Sequence, residues 1–384
     1  MSSTERREEV YGPLIRHPVR PFRGGDPRFR IQVFRTLDGH RYAVALACGQ
    51  ITDNAPLLAR VHSSCATSET FGGCDCDCVQ QLEGALSAIG REGRGVLFYL
   101  PQEGRGAGLV AKARDRMLVQ ASENRLTTFD AYERLGLPAD CRRYDAVSAM
   151  ARLLEIRAPL ELLTNNPEKR AQLEREKLPI AGARPLRVES SETSLHYLKS
   201  KQQKGHDLAS MGTKDFVPTL PEKVTWQEPV EMAGTSLVRM ASYFLPVDGE
   251  NASGPVWLRL TLYVDVRARC ERVVLEREDP GQRVADPWAV FAPDVLLSRF
   301  EQGGSSWRAR WKACVRSFEE RGAGIAVFLP SRLEAGGGDE LDPVSVWLLD
   351  HHLESRRPTW MPLGLGEGFE RVARAAVRQA GGAS

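Results

Sequence analysis

RVHSSCATSETFGGCDCDCVQQLEGAL, running from Arg60 to Leu86, contains four of the chain's eight cysteines and sets its chemistry. Cys65, Cys76 and Cys78 are close enough in sequence to close around one zinc ion. Three thiolates leave one tetrahedral position for water, and zinc lowers that water's pKa to about 7. A three-thiolate set therefore points to a hydrolase. Cys74 is the rival reading, because a fourth sulfur would make a closed structural site.

Periodicity places this segment within alternating strands and helices. HRYAVALACG from His40 and APLLARVHSSC from Ala55 read as two strands, the second delivering Cys65 at its end. In CVQQLEGALSAIGREG the apolar residues Val79, Leu82, Leu86 and Ile89 follow helical spacing, so Cys76 and Cys78 precede a helix that stops at Gly93. A helix N-terminus also favours thiolate. GVLFYL from Gly95 is a continuous apolar strand leading into the glycine-rich loop QEGRGAG, and AKARDRMLVQ continues as a helix. That loop is weak evidence alone, because a glycine-rich turn after a strand occurs in many α/β proteins, though its backbone N–H groups and Arg105 could hold an anion.

Composition narrows the possibilities. The 384 residues exceed one ordinary core, and 42% hydrophobic content can fill two. No run of eighteen apolar residues and no apolar leader is present, so a cytoplasmic protein is expected. Clustered cysteines fit metal ligation in a reducing compartment better than a disulfide framework. With 52 basic and 50 acidic residues there is no global field to recruit nucleic acid or membrane.

The order of motifs resembles the GTP cyclohydrolase II family over roughly residues 30 to 212. Arg60, Val61, His62, Ser63, Cys65, Cys76, Asp77, Cys78, Gln81 and Leu82 fall on the family's metal segment. REGRGVLFYLPQEGRGAGL, PADCRRY, LLTNNPEK and the closing HYLKSKQQKGHDL follow in the family's order. The resemblance implies an α+β fold, a mixed sheet with flanking helices, that opens the guanine imidazole ring of GTP and releases formate and pyrophosphate. It implies zinc on Cys65, Cys76 and Cys78, and magnesium with the triphosphate. By the same resemblance Asp140 shuttles protons, and Arg142 attacks the α-phosphate or clamps the departing charge. Arg60, His62, Ser63, Gln81, Glu103, Gly104, Arg105, Thr128, Thr164 and Lys169 are implied in nucleotide binding. Family members are homodimers.

Three positions depart from that pattern. Ser64 stands where the family has Glu, Asp75 where it has Arg, and Arg116 where it has a catalytic tyrosine. Arginine stays protonated and offers only donors. The expectation is that the second hydrolysis is impaired and an N-formylated, ring-opened nucleotide results, unless Tyr132 or Tyr144 takes over. A non-catalytic, zinc-stabilised nucleotide-binding or scaffold protein is the alternative.

The second half repeats part of this pattern, since FEERGAGIAVFLP from Phe318 lies over IGREGRGVLFYLP from Ile89 without a gap. Extended, the overlay puts Ser305 on Cys76 and Trp307 on Cys78, and DPVSVWLL from Asp342 on DAVSAMAR from Asp145. The expected organisation is an extension over 1–30, a catalytic domain over 31–212, a linker over 213–228 and a degenerate, non-catalytic copy over 229–384. Such a copy would make either a homodimer or a pseudo-dimeric monomer.

Overall fold

Continuous apolar runs in the first half of the chain make a seven-stranded mixed sheet in the order β1-β2-β3-β5-β4-β6-β7. A computed structural model describes residues 14–17, 26, 28–36, 42–188, 219–249, 254–279, 281, 283–332, 341–363 and 367–379. The strands are β1 Leu14–His17, β2 Phe29–Thr36, β3 Tyr42–Cys48, β4 Leu57–Ser63, β5 Gly95–Leu100, β6 Leu160–Leu163 and β7 Ile180–Arg184. β1, β2, β3 and β5 pair antiparallel in turn, whereas β5, β4, β6 and β7 pair parallel. All six residues of β5 are buried, as a strand covered on both faces requires.

Helices cover both faces. They are α1 Ala66–Glu69, α2 Cys78–Glu92, α3 Leu109–Ala121, α4 Thr128–Arg134, α5 Asp145–Leu153 and α6 Pro167–Arg175. α2 buries Val79, Leu82, Leu86 and Ile89 on the face the sequence pattern marks, and ends at Gly93 with φ 69°. Residues 1–30, expected as an extension with little core, supply strand β1 at the sheet edge. The segment HYLKSKQQKGHDL lies outside the described residues. Of the expected linker, residues 219–228 run without helix or strand, yet Val224 is buried in the core of the second half.

The second half forms another seven-stranded sheet, in the order β14-β12-β13-β11-β10-β9-β8. Its strands are β8 Val230–Glu231, β9 Leu237–Val247, β10 Val256–Asp265, β11 Cys270–Glu278, β12 Trp288–Val295, β13 Ala323–Arg332 and β14 Thr359–Trp360. Its helices are α7 Trp307–Arg321, α8 Pro343–Leu353 and α9 Glu367–Gln379. The row β9-β10-β11-β13-β12-β14 has the same order and the same sense at every pairing as β1-β2-β3-β5-β4-β6. Registers coincide as well: Val273 faces Phe328 where Val44 faces Tyr99, and Leu260 faces Leu275 where Ile31 faces Leu46. α7 ends at Gly322, left-handed like Gly93.

The two halves share one core. Ala66, Phe71, Ala113 and Met117 from the first pack with Tyr243, Leu245, Trp307, Trp311 and Phe328 from the second. Among the described residues no helix is long and apolar enough to cross a membrane.

Candidate active site

β4 and β5 lie side by side and parallel, so the chain leaves both at the same sheet edge, the usual place for a crevice in such sheets. From β4 come Ser63, Ser64 and Cys65; from β5 comes the loop Gln102 to Gly108. Between them lies a half-open cleft with about 540 Å³ of empty space, open solvent included.

The sulfurs of Cys65, Cys76 and Cys78 all lie within 4.8 Å of one another at its floor. Cys65 and Cys76 are 3.7 Å apart. Four-coordinate zinc with Zn–S bonds of about 2.3 Å sets its sulfurs just under ~4 Å apart, so the trio fits such an ion. Cys74 is absent from the group. Its thiol donates to the Pro246 carbonyl at 3.4 Å and its backbone N–H to the same oxygen at 2.8 Å. The Cys65 thiol is lowered well below its ordinary range by hydrogen bonds from Cys76 and Cys78, aided by Lys112, against burial. Lys112 Nζ stands 3.0 Å from Cys65 Sγ and 2.8 Å from Glu103 Oε1.

The glycine-rich loop closes one wall. Arg105 adopts φ 54°, and its Nη2 donates to Thr128 Oγ1 at 2.7 Å while the guanidinium stacks on Phe129 at 3.9 Å. Gly106, at φ 86°, is pressed against the Cys141 backbone, where a Cβ would come within 2.8 Å. That contact, with the Cys141 N–H donating to the Arg105 carbonyl at 2.9 Å, sets the segment Asp140 to Arg142 beside the loop. Arg142 reaches the cleft, whereas Asp140 is exposed beyond its lining. The Arg142 Nε donates to both oxygens of Asp140 at 2.9 and 3.1 Å. Partial burial raises the Asp140 carboxyl, but these bonds outweigh it and hold the group below its usual range.

Of the expected nucleotide-binding residues, Ser63, Glu103, Gly104 and Arg105 line the cleft. Arg60, His62, Gln81, Thr128, Thr164 and Lys169 do not. Arg60 donates to the Leu163 carbonyl at 2.8 Å and to Gln81 Oε1 at 2.6 Å. Lys169 donates to the Val61 carbonyl at 2.8 Å, and Thr164 Oγ1 accepts from the Asn166 N–H at 3.1 Å. His62 Nε2 meets Glu69 Oε1 at 2.8 Å in a buried network, and burial lowers its pKa despite that carboxylate. Of the two tyrosines weighed as substitutes, Tyr132 lines the cleft and donates to the Gly104 carbonyl at 2.7 Å. Tyr144 is buried in the sheet core.

Sequence reasoning missed Lys112, Asp115 and the network behind the cleft. Lys112, Asp115 and Arg116 stand at i, i+3 and i+4 on α3, a single helix face, which is the signal that was available. Behind Glu69, Tyr99 and Arg299 meet at 2.7 Å, and Arg299 also holds Asp294 at 2.9 Å. Thr70 Oγ1 completes the chain by donating to Asp294 at 3.1 Å. Arg299 and Asp294 come from the second half, a contribution no local pattern reveals.

Residues 20–185 match the model of the family described as GTP cyclohydrolase II. The chain is similar to the riboflavin biosynthesis protein RibBA of Bacillus mycoides (strain KBAB4), 44% identical over 164 residues, 42% of this chain and 40% of the relative. The proteins of the same name from Bacillus cytotoxicus and Bacillus cereus (strain Q1) are also 44% identical, with the same coverage of both chains. The chain thus spans about 40% of the length of the curated relatives it matches. With the family match over residues 20–185 and the cysteine trio gathered at one sheet edge, this segment of the chain is similar to the GTP cyclohydrolase II family.

Proposed function

We propose that this protein is a zinc-dependent hydrolase that opens the guanine imidazole ring of GTP and releases pyrophosphate. The supporting observation is the convergence of Cys65, Cys76 and Cys78 at the floor of a cleft whose walls carry Arg105 and Arg142. Zinc on the three sulfurs would supply Lewis acidity and a water acidified to near neutral pH. Lys112 balances the charge of the Cys65 sulfur, and Glu103 holds Lys112 in place. Arg105 and Arg142 offer fixed positive charge to the triphosphate, with magnesium as its counter-ion. Arg142 acts as a clamp on departing pyrophosphate, the role in which a permanently protonated guanidinium is effective.

The product we assign is the N-formylated, ring-opened nucleotide. Arg116, at the family's tyrosine position, is engaged with Asp75 and, staying protonated, cannot take and give a proton as a phenol does. Mass spectrometry of zinc-loaded protein incubated with GTP should show pyrophosphate and the formylated pyrimidine. Stoichiometric free formate would overturn the product, and undiminished GTP would overturn the reaction in favour of a zinc-stabilised nucleotide-binding protein. The relatives' name places them in riboflavin biosynthesis, and a cytoplasmic supplier of a related pyrimidine is the corresponding role here.

The second half is, in this reading, a degenerate copy of the first that serves as its built-in partner. Ser305 and Trp307 stand where Cys76 and Cys78 stand, immediately before and at the start of the matching helix. The aromatic contacts across the interface exchange under the same overlay: Phe71 packs on Phe328 at 4.6 Å, and Phe300 packs on Tyr99 at 5.1 Å. Such reciprocity is the mark of a two-fold interface. Sedimentation should give the mass of one chain, and a stable two-chain particle would count against the proposal.

A further inference from the structure

α3 turns three charged side chains toward the cleft. Lys112 is engaged by Cys65 and Glu103, and Arg116 Nη2 lies 3.2 Å from Asp75 Oδ2. Asp115 between them lines the same cleft as the cysteine trio, is 3% exposed, and leaves its Oδ1 buried without a hydrogen-bond partner among the described residues. A carboxyl withdrawn from water and left unpaired is costly, and alanine would satisfy the helix better. That oxygen lacks a partner among the described residues, beside the cleft that Asp115 lines.

We propose that Asp115 is the proton-transfer residue for imidazole ring opening, an inference that rests on the cyclohydrolase reading above. Water gives its oxygen to C8 and one proton to the ionised carboxylate, and its second proton passes to N7 as the hydroxyl on C8 becomes the formyl carbonyl. The C8–N9 bond then breaks, its electron pair goes to N9, and Asp115 returns the proton there. The formamide stays on N7, one water is consumed, no electrons change hands and the carboxylate is regenerated.

The surroundings suit this role. Burial raises the Asp115 carboxyl to about 7, against the pull of Arg116, Arg105 and Lys112, and Asp75 adds to the rise. A group balanced near neutral pH both takes and gives a proton with little penalty. The buried Tyr243 phenol from β9 lies near Asp75, Lys112 and Arg116, with its hydroxyl also lacking a hydrogen-bond partner among the described residues.

The test uses full-length, zinc-loaded protein and GTP, comparing wild type with Asp115→Asn and Asp115→Glu for zinc content, KM, kcat and pH profile. Asp115→Asn is expected to keep its zinc and KM, to lose kcat by roughly 10²- to 10⁴-fold, and to lose the pH dependence near neutrality. Asp115→Glu should recover part of the rate. An Asn variant with wild-type kcat and pH profile overturns the proposal, as does loss of zinc in parallel with rate in both variants. Wild-type protein that leaves GTP intact overturns the parent reading, and this inference with it.

Discussion

Arg116 Nη2 lies 3.2 Å from Asp75 Oδ2, so two of the three positions that depart from the family pattern are partners in one ion pair. The pair ties α3 to the loop that carries Cys76. Both side chains are largely buried, so screening by solvent is weak. Arg116→Tyr alone leaves Asp75 without this partner, and the expected cost is about 1–3 kcal/mol in chemical denaturation. Asp75→Arg combined with Arg116→Tyr restores the family's residues at both positions and should recover stability while releasing formate from GTP. A double variant that is no more stable than the sum of the singles would show that the two sites are uncoupled.

Much of this site is local and could be read from the chain. The spacing of Val79, Leu82, Leu86 and Ile89 fixes α2, Gly93 stops it, and the apolar run from Gly95 is β5. Those elements alone bring Cys65 and Cys78 to one sheet edge. What escaped is what depends on sequence-distant contacts. Nothing near His62 says that it turns to Glu69, and nothing near Cys74 says that Pro246 takes its thiol. Nothing in the sequence singles out Asp115, since a charged residue on a helix is ordinarily solvated. In the fold α3 packs against β9, and Asp115 is withdrawn from water among Arg105, Lys112 and Arg116.

The cysteines divide three to one. Cys65→Ser, Cys76→Ser and Cys78→Ser should each abolish stoichiometric zinc and ring opening, because each supplies one of three sulfurs within 4.8 Å of one another. Cys74→Ser should retain one zinc per chain, since its sulfur faces the Pro246 carbonyl and a hydroxyl can make the same bond. Metal analysis of the four variants is the check. Loss of zinc in Cys74→Ser would make the site a closed one.

Asp115 gives a pH dependence of stability with a definite sign. Its carboxyl sits at about 7 in the folded protein and near ~3.9 when unfolded, so between these values the folded state holds the extra proton. Stability from this group is therefore present at acid pH and declines as pH rises from ~4 to ~7. At one pKa unit per ~1.4 kcal/mol, the loss amounts to about 4 kcal/mol for this buried group. Asp115→Asn, which cannot ionise, should come closest to wild type below pH ~4 and exceed it increasingly up to pH 8. Denaturation midpoints of metal-free protein across that range measure it, and parallel curves for the two proteins would refute it.

Trp311 shows how far the second half governs the metal loop of the first. Its ring is 1% exposed, stacks at 6.1 Å on Trp307 and meets Phe328 edge-on at 5.2 Å. Its Nε1–H donates to the Phe71 carbonyl at 2.9 Å, just as Trp307 Nε1–H donates to Thr70. Gly72 has φ 74° and passes so near that a Cβ would sit 3.1 Å from the Trp311 ring. The loop between Cys65 and Cys76 is thus moulded on two indoles from the other domain. Trp311→Ala should cost about 3–5 kcal/mol through the cavity it leaves. Trp311→Phe keeps most of the packing but strands the Phe71 carbonyl, for about 1–3 kcal/mol. If the indoles hold the ligand loop, zinc affinity should fall in both variants, and more in Trp311→Ala. Unchanged zinc affinity beside the lost stability would mean that Trp311 serves the core alone, and the second half would then have no part in shaping the metal site.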